Sequence, residues 1–384
     1  MNNFRYKNPV EVVFGKGTIA ALPELIPADK TVMLTYGGGS IKKNGVYDQV
    51  QRALKGYKIV EFGGIEPNPK YEMLIQAIKP AKKENVDFLL AVGGGSVLDG
   101  TKFIAAALRF NGDDPWDILA KQAEVKDAVP LGTVMTLPAT GSEMNTFSVV
   151  SRISTQQKLA FASPKVFPQF AIIDPETNFS LPTHQVTNGV VDAFVHVCEQ
   201  YMTSPSSAAI QDRFSESIFS VLMDEGPKAL KTPNDYDVRA NICWAATWAL
   251  NGWIACGVPF DGATHYIGQE ITALNGTDHG QTLALVLPAV WKHQRNDKGA
   301  KLIQFGQRVL GLTETNGEKM INLVIERTKA FFREMGMEAT KRNYGVTAEM
   351  CHEIVRRFKE SGIKLGDRHN LGYKEIGEIL NLCD

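Results

Sequence analysis

The pattern of apolar residues changes its period once along this chain, and that change restricts the fold more than any other feature. Up to about residue 174, short β-branched runs alternate with helix-period segments. The spacing predicts strands at 31–35, 59–62, 88–92, 131–137 and 171–173, with helices at 71–84 and 97–108 between them. Strands that alternate with helices predict a mostly parallel sheet wrapped by helices. Between 148 and 161 the alternation of VVSRIS and KLAF predicts an antiparallel hairpin appended to that sheet. From about Thr183 the strand signal disappears, and amphipathic segments follow at 208–230, 238–255, 282–291, 300–310 and 319–335. The stretch from Asp174-Pro175 to Pro182 interrupts both patterns and reads as the junction. The expectation is an α/β domain over 1–180 and a helical domain over 181–384.

Composition narrows the function classes. The 384 residues, 44% hydrophobic and 22% charged, suffice for two globular domains. A net charge of −1 without any basic block argues against nucleic acid or an anionic membrane as partner, leaving small ligands. The opening residues lack an apolar h-region, and no run of about 18 apolar residues is present to span a bilayer. A cytoplasmic location is therefore expected. The five cysteines, Cys198, Cys243, Cys256, Cys351 and Cys383, are scattered without a C-x-x-C pair, which suits thiols better than a disulfide frame or zinc ribbon.

Two sets of residues carry chemistry. The first lies in the helical half. Asp192 and His196 stand one helical turn apart in NGVVDAFVHVCEQY, so their side chains share a helix face and can close on one cation. His265 and His279 follow in DGATHYIGQE and TDHGQTLALVLP. On one straight helix these two would lie roughly 21 Å apart. The chain must turn between them, and Asn275-Gly276 supplies the break, with a new helix start at Thr277 or Asp278. Three imidazoles and a carboxylate suit a divalent metal such as Fe(II) or Zn(II). Taken singly, Asp-x3-His is usually a surface pair and a lone His265 usually a hydrogen-bonded structural residue. Of the remaining histidines, His293, His352 and His369 fall in charged C-terminal segments and His184 in a proline-containing loop.

The second set is a pair of glycine-rich turns, each after an expected strand: VMLTYGGGS, ending at Ser40, and FLLAVGGGSVLD, which carries Gly93 to Ser96 into a helix. Glycine lets backbone approach an anion, and a helix N-terminus offers unpaired N–H groups and a favourable dipole. A capping box of Ser96 and Asp99 would explain the second turn equally well. Neither turn is G-x-G-x-x-G, and Thr101-Lys102 stand in the wrong order for a Walker loop.

Together, GGGSVLDGTKFIA, TLPATGSEMN, KLAFASPKVFPQFAIIDP, LPTHQVTNGVVDAFVHVCEQY and the two histidine segments resemble the iron-containing, group III alcohol dehydrogenases. Within that family the similarity is to the NADPH-dependent aldehyde reductase and butanol dehydrogenase branch. It extends from VVFGKGTIAALPE and loses specificity after about Val309. The resemblance implies the dehydroquinate synthase-like fold, a Rossmann-like α/β domain followed by an all-α domain with the active site in the cleft between. It implies that Asp192, His196, His265 and His279 hold one divalent metal, Fe2+ or Zn2+. It further implies that Gly94, Gly95 and Ser96 cradle the pyrophosphate of NADP(H), while Asn68, Thr136, Thr140, Asn145 and Lys158 line the cofactor. On residues alone, Asn68 between two prolines could be a turn residue, Lys158 solvated surface, and the two threonines turn caps.

The implied reaction interconverts small aldehydes and primary alcohols; a glycerol- or diol-type polyol dehydrogenase of the same superfamily is the alternative. NAD-preferring relatives carry an Asp near the position of Gly38. Here Gly38, Gly39 and Ser40 present no carboxylate, and Lys42-Lys43 add positive potential, so NADP(H) is the expected cofactor. Many relatives place a second histidine where this chain has Gln269, which cannot titrate near neutral pH. A homodimer or larger homo-oligomer is expected. Trp244, Trp248 and Trp253 fall at helical spacing and read as core or pocket wall.

Overall fold

The computed structural model describes residues 1–383 and divides into two compact units. One comprises residues 7–181 and 234–247, the other residues 1–6, 182–233 and 248–384, the last position lying outside the described residues.

The first unit is built on a sheet of six strands: β1 (Glu11–Phe14), β2 (Thr31–Tyr36), β3 (Lys58–Phe62), β4 (Phe88–Gly94), β5 (Leu131–Leu137) and β8 (Phe170–Ile173). The order is β1-β8-β5-β4-β2-β3, and every pairing is parallel. Helices α1 (Leu22–Leu25), α2 (Val46–Ala53), α3 (Tyr71–Leu74), α4 (Ile78–Lys83), α5 (Gly95–Ala107) and α6 (Asp117–Ala120) complete it. Strand β4 is apolar throughout because both its faces are covered. Leu89 and Ala91 pack into one core cluster, while Phe88, Leu90 and Val92 pack into the other. The expected strands are all present, and β1, a four-residue edge strand with partly exposed residues, was missed because so short a run carries little periodic signal.

The expected hairpin forms from β6 (Phe147–Arg152) and β7 (Gln157–Ala162), but as a separate two-stranded sheet rather than an extension of the large one. The expected helix at 71–84 is two short helices joined by a 3-10 turn at Ile75–Ala77.

The second unit is helical: α7 (Thr183–Tyr201), α8 (Ala209–Lys231), α10 (Ala263–Asn275), α11 (His279–His293), α12 (Arg295–Arg308), α13 (Gly317–Glu334), α14 (Ala348–Ser361) and α15 (Tyr373–Leu382). Phe194, Phe219, Phe305, Phe331 and Phe332 meet ring to ring in its core.

Two stretches depart from a division into 1–180 and 181–384. Most of helix α9 (Tyr236–Ala249) belongs with the α/β unit. There Cys243 packs with Met135 and Ile173, Trp244 lies edge-on to Phe14, and Thr247 donates to Glu143 at 2.6 Å. Residues 1–6 belong with the helical unit, where Tyr6 packs edge-on against Trp253 and the Asn2 amide donates to the Gly257 carbonyl. Such contacts are invisible to local periodicity. Of the core-or-wall reading, Trp244 at 40% exposed excludes the core part.

Candidate metal centre and nucleotide edge

In the helical unit, α7 presents Asp192 and His196, both buried, from adjacent turns of one face. Helix α10 ends at Asn275, with Gly276 left-handed at φ 78, and α11 begins at His279 after Asp278. The turn required between the last two histidines is therefore present. Around Asp192 Oδ1, the Nε2 atoms of His196, His265 and His279 stand at 3.7, 3.6 and 3.8 Å. Four ligands about 2.1 Å from a tetrahedral metal are separated by roughly 3.4 Å, so these separations are those of one coordination shell rather than of hydrogen bonds. Asp192, His265 and His279 offer donor atoms mutually within 4.8 Å, and His196 joins them through the carboxylate.

Asp192 Oδ1 and His265 Nε2 are buried without a hydrogen-bond partner, a costly state that a bound cation would relieve. Burial pushes the Asp192 carboxyl up, but His196, His265 and His279 more than offset this and hold it well below its usual range. Burial pulls His265 down, yet the charge of Glu199 and then Asp192 raise it to about 9. The pocket is thus built around positive charge.

Glu199 went unnoticed in the sequence. It lies three residues beyond His196 on the same face of α7, is 2% exposed, and accepts from His265 Nδ1 at 2.5 Å and from the His265 amide at 3.1 Å. Protonating Nδ1 toward Glu199 leaves Nε2 as the free lone pair facing Asp192, the orientation a metal ligand requires. The 192, 196, 199 spacing was the available signal.

Glycine places His279. A Cβ on Gly280 would lie 2.8 Å from both the Cα and the carbonyl oxygen of Asn188, so only glycine lets α11 start this close to α7. Asn188 Nδ2 donates to Asp278 at 2.9 Å across the same approach. Gln269, one turn after His265, is half-buried on α10. His184 lies within α7 rather than in a loop, because Pro182 serves as its N-cap. His293 closes α11 and faces Glu378 at 2.9 Å.

In the α/β unit the glycine-rich turns follow β2 and β4, neighbours in the sheet, and the turn bearing Thr140 follows β5 on the other side of β4. All lie at the carboxyl edge. From β2 the chain steps outward to β3 and then crosses back to β4, which makes the β2/β4 gap the switch point where open α/β sheets bind ligands.

Gly93, Gly94 and Gly95 are needed for closeness rather than for unusual dihedrals. A Cβ on each would come within 2.5 Å of Val97, 2.9 Å of Leu137 and 2.5 Å of Thr140, respectively. Helix α5 starts without a side-chain cap, leaving its first N–H groups directed at this edge. The alternative of a Ser96/Asp99 capping box does not form. Asp99 is buried, accepting from Ser142 Oγ at 2.7 Å and the Val149 amide at 3.0 Å.

Asn68, at φ 53, donates its amide to Ser96 Oγ at 3.2 Å and accepts from Lys158 Nζ at 2.8 Å through Oδ1. Lys158 is 7% exposed, so the solvated-surface alternative fails, while Asn68 is both turn residue and partner. Thr136 is buried in β5. Thr140 and Asn145 meet in the turn that follows: Asn145 Nδ2 donates to the Thr140 carbonyl, and Asn145 Oδ1 accepts from Lys102 Nζ at 2.9 Å.

Lys102 is fully buried and also donates to Ser142 Oγ and the Phe147 carbonyl, each at 2.9 Å, so it fastens this turn to α5. Burial draws its pKa down to about 8 against the pull of Asp99 and Glu143. Gly38, Gly39 and Ser40 follow β2, with Gly38 and Ser40 exposed and Gly39 half-buried. Lys42 is matched by Glu61 at 3.0 Å and lies over the rings of Tyr36 and Tyr47, so its expected contribution of positive potential is largely cancelled, leaving that role to Lys43.

The sequence model described as iron-containing alcohol dehydrogenase matches residues 9–175, and the one described as the C-terminal part of the Fe-containing alcohol dehydrogenase family matches residues 186–382. The chain is 53% identical to the NADPH-dependent aldehyde reductase YqhD of Escherichia coli, over 97% of each protein. It is 41% identical to NADP-dependent alcohol dehydrogenase 3 of Entamoeba histolytica and 38% identical to the probable NADH-dependent butanol dehydrogenase 1 of Bacillus subtilis, over 99% of each chain in both cases. Its fold superposes on the crystal structure of E. coli YqhD with a TM-score of 0.98, covering 100% of this chain and 99% of the other at 51% identity.

Proposed function

Because the chain belongs to the iron-containing alcohol dehydrogenase family, we propose that it interconverts small aldehydes and primary alcohols with NADP(H) and one divalent metal. The observation that carries this reading is the convergence of three imidazole Nε2 atoms on Asp192 Oδ1 at 3.6 to 3.8 Å. When bound, the metal supplies a Lewis acid for the substrate oxygen and the dinucleotide supplies or accepts the hydride.

The chain's own residues hold and orient these groups. Asp192, His196, His265 and His279 are the metal ligands of this reading, with Glu199 fixing the His265 tautomer. Gly94, Gly95 and the open N-terminus of α5 receive the pyrophosphate, and Ser96, Asn68, Lys158, Thr136, Thr140 and Asn145 border the dinucleotide. Reduction adds one hydride and one proton to the carbonyl. Gln269 does not titrate, so the proton travels by water or a cofactor hydroxyl.

NADP(H) is favoured by the uncharged turn at Gly38, Gly39 and Ser40. Iron follows the family, with zinc the competing occupant of the same ligand set. The five cysteines, free among the described residues, suit a reducing cytoplasmic setting, and a homo-oligomer follows the family. No described helix is long and apolar enough to cross a membrane.

The test is the purified protein assayed with butanal and with glycerol, each with NADPH/NADP+ and NADH/NAD+, alongside elemental analysis for iron and zinc and size-exclusion chromatography. Butanal reduction with NADPH by metal-loaded protein is expected. A preference for glycerol oxidation would move the chain to the polyol dehydrogenases.

A further inference from the structure

One buried lysine of the helical unit is used by no part of the metal-binding reading. Lys298, in the first turn of α12, is 3% exposed. Its Nζ donates to the Met202 carbonyl at 2.7 Å and to Asp261 Oδ2 at 2.6 Å, and Asp367 Oδ1 lies 3.7 Å away. Each partner sits at an end of an element that carries the metal centre or at a segment braced against one.

Met202 is the C-cap of α7, the helix of Asp192, His196 and Glu199. Asp261 accepts the Ala263 amide at 3.0 Å through its other oxygen, at the start of α10, the helix of His265. The Asp261 amide in turn donates to the Glu199 carbonyl at 2.9 Å. Asp367 accepts from the Ser204 amide and hydroxyl just beyond α7, and its own amide reaches Asp261. One ammonium group therefore clamps the end of α7 to the beginning of α10.

A buried lysine with carboxylate partners adds little net stability over an apolar packing of the same volume, so stability alone does not account for it. The register of α7 against α10 decides whether Glu199 meets His265 Nδ1, and hence whether His265 Nε2 faces Asp192. We propose that Lys298, acting through Asp261 and the Met202 carbonyl, is a positioning residue that sets the metal affinity of the Asp192/His196/His265/His279 site. This rests on the metal-binding reading given above. Residues that orient metal ligands from behind typically change affinity by about 10- to 100-fold when lost.

The test measures the zinc dissociation constant of metal-stripped protein by competition with a chromophoric chelator at 20 °C. The proteins are wild type, Lys298→Met, Lys298→Arg, the paired variant Lys298→Met/Asp261→Asn, which leaves no lone buried charge, and His265→Ala. Melting temperatures of the metal-free forms are taken in parallel. The inference expects zinc affinity to fall at least tenfold in Lys298→Met and in the paired variant and to recover in Lys298→Arg, with NADPH binding unchanged.

A merely structural lysine would lower the metal-free melting temperature while leaving the zinc constant within twofold of wild type, and that result overturns the proposal. So does failure of both the single and the paired variants to fold, which would assign Lys298 to the fold itself. Wild-type zinc affinity in His265→Ala would instead bring down the metal reading on which the proposal stands.

Discussion

At the scale of residues, the proposed metal centre turns on two buried polar atoms, Asp192 Oδ1 and His265 Nε2, that have no hydrogen-bond partner. Asp192 and His265 are buried with donor atoms aimed at one another at separations too long to hydrogen-bond. His279→Ala removes one proposed ligand, whose side chain, at the start of α11, is partly exposed rather than part of the packed core. That variant should lose metal and aldehyde reduction while keeping its circular-dichroism spectrum and NADPH affinity, and turnover by metal-free His279→Ala would remove the Lewis-acid mechanism. Lys102 gives a pH signature. Burial lowers its folded-state pKa to about 8 from the ordinary lysine value of 10.5, so between these values the unfolded chain holds the proton that the native state has released. Stability contributed by this group accordingly rises as pH climbs through that window and is flat below it. Denaturant titrations at pH 7 and pH 9.5 should show wild type gaining relative to Lys102→Met. An identical pH dependence in the two proteins would mean that Lys102 keeps its proton.

At the scale of elements, two glycines separate close approach from open space. Gly280 stands where α11 touches the backbone of α7, and backbone cannot yield as a flexible side chain does. Gly280→Ala should cost about 1–3 kcal/mol in urea denaturation, as overpacking does, and should weaken zinc binding by displacing His279. Unchanged zinc affinity would show that α11 can shift without moving its first side chain. Gly38 is the opposite case: it is not at positive φ, and a Cβ there would meet nothing within 4 Å. Gly38→Asp therefore fits without strain and, in the proposed reading, sets a carboxylate where the 2′-phosphate of NADP would lie. Wild type should favour NADPH over NADH at least tenfold in kcat/KM, about 1.4 kcal/mol, and Gly38→Asp should narrow or invert that ratio. An unchanged ratio would place cofactor choice elsewhere on the edge.

At the scale of the whole molecule, the two units hold different ligands in this reading, and hydrogen exchange can tell them apart. A ligand that binds only the folded form stabilises it by mass action, and amides closest to the site gain most protection. Zinc should slow exchange in α7, α10 and α11, and NADPH should slow it at residues 37–40 and 93–96; the reverse pattern would overturn the division of labour. Much of this was legible in the chain itself. Five of the six sheet strands, the glycine-rich turns after β2 and β4, and the i,i+4 pair Asp192/His196 are local patterns, and local patterns are written in consecutive residues. The order β1-β8-β5-β4-β2-β3, the membership of α9 in the α/β unit, and the roles of Glu199, Asp99, Lys102 and Lys298 were not. Each of these depends on a partner made neighbouring only by packing: Glu199 meets His265 across 66 positions, Lys298 meets Asp261 across 37, and Lys102 meets Ser142 across 40. Periodicity tells which face of an element is buried. It carries no information on which other element covers that face, and only that contact decides whether a buried charge is a ligand, a brace or a liability.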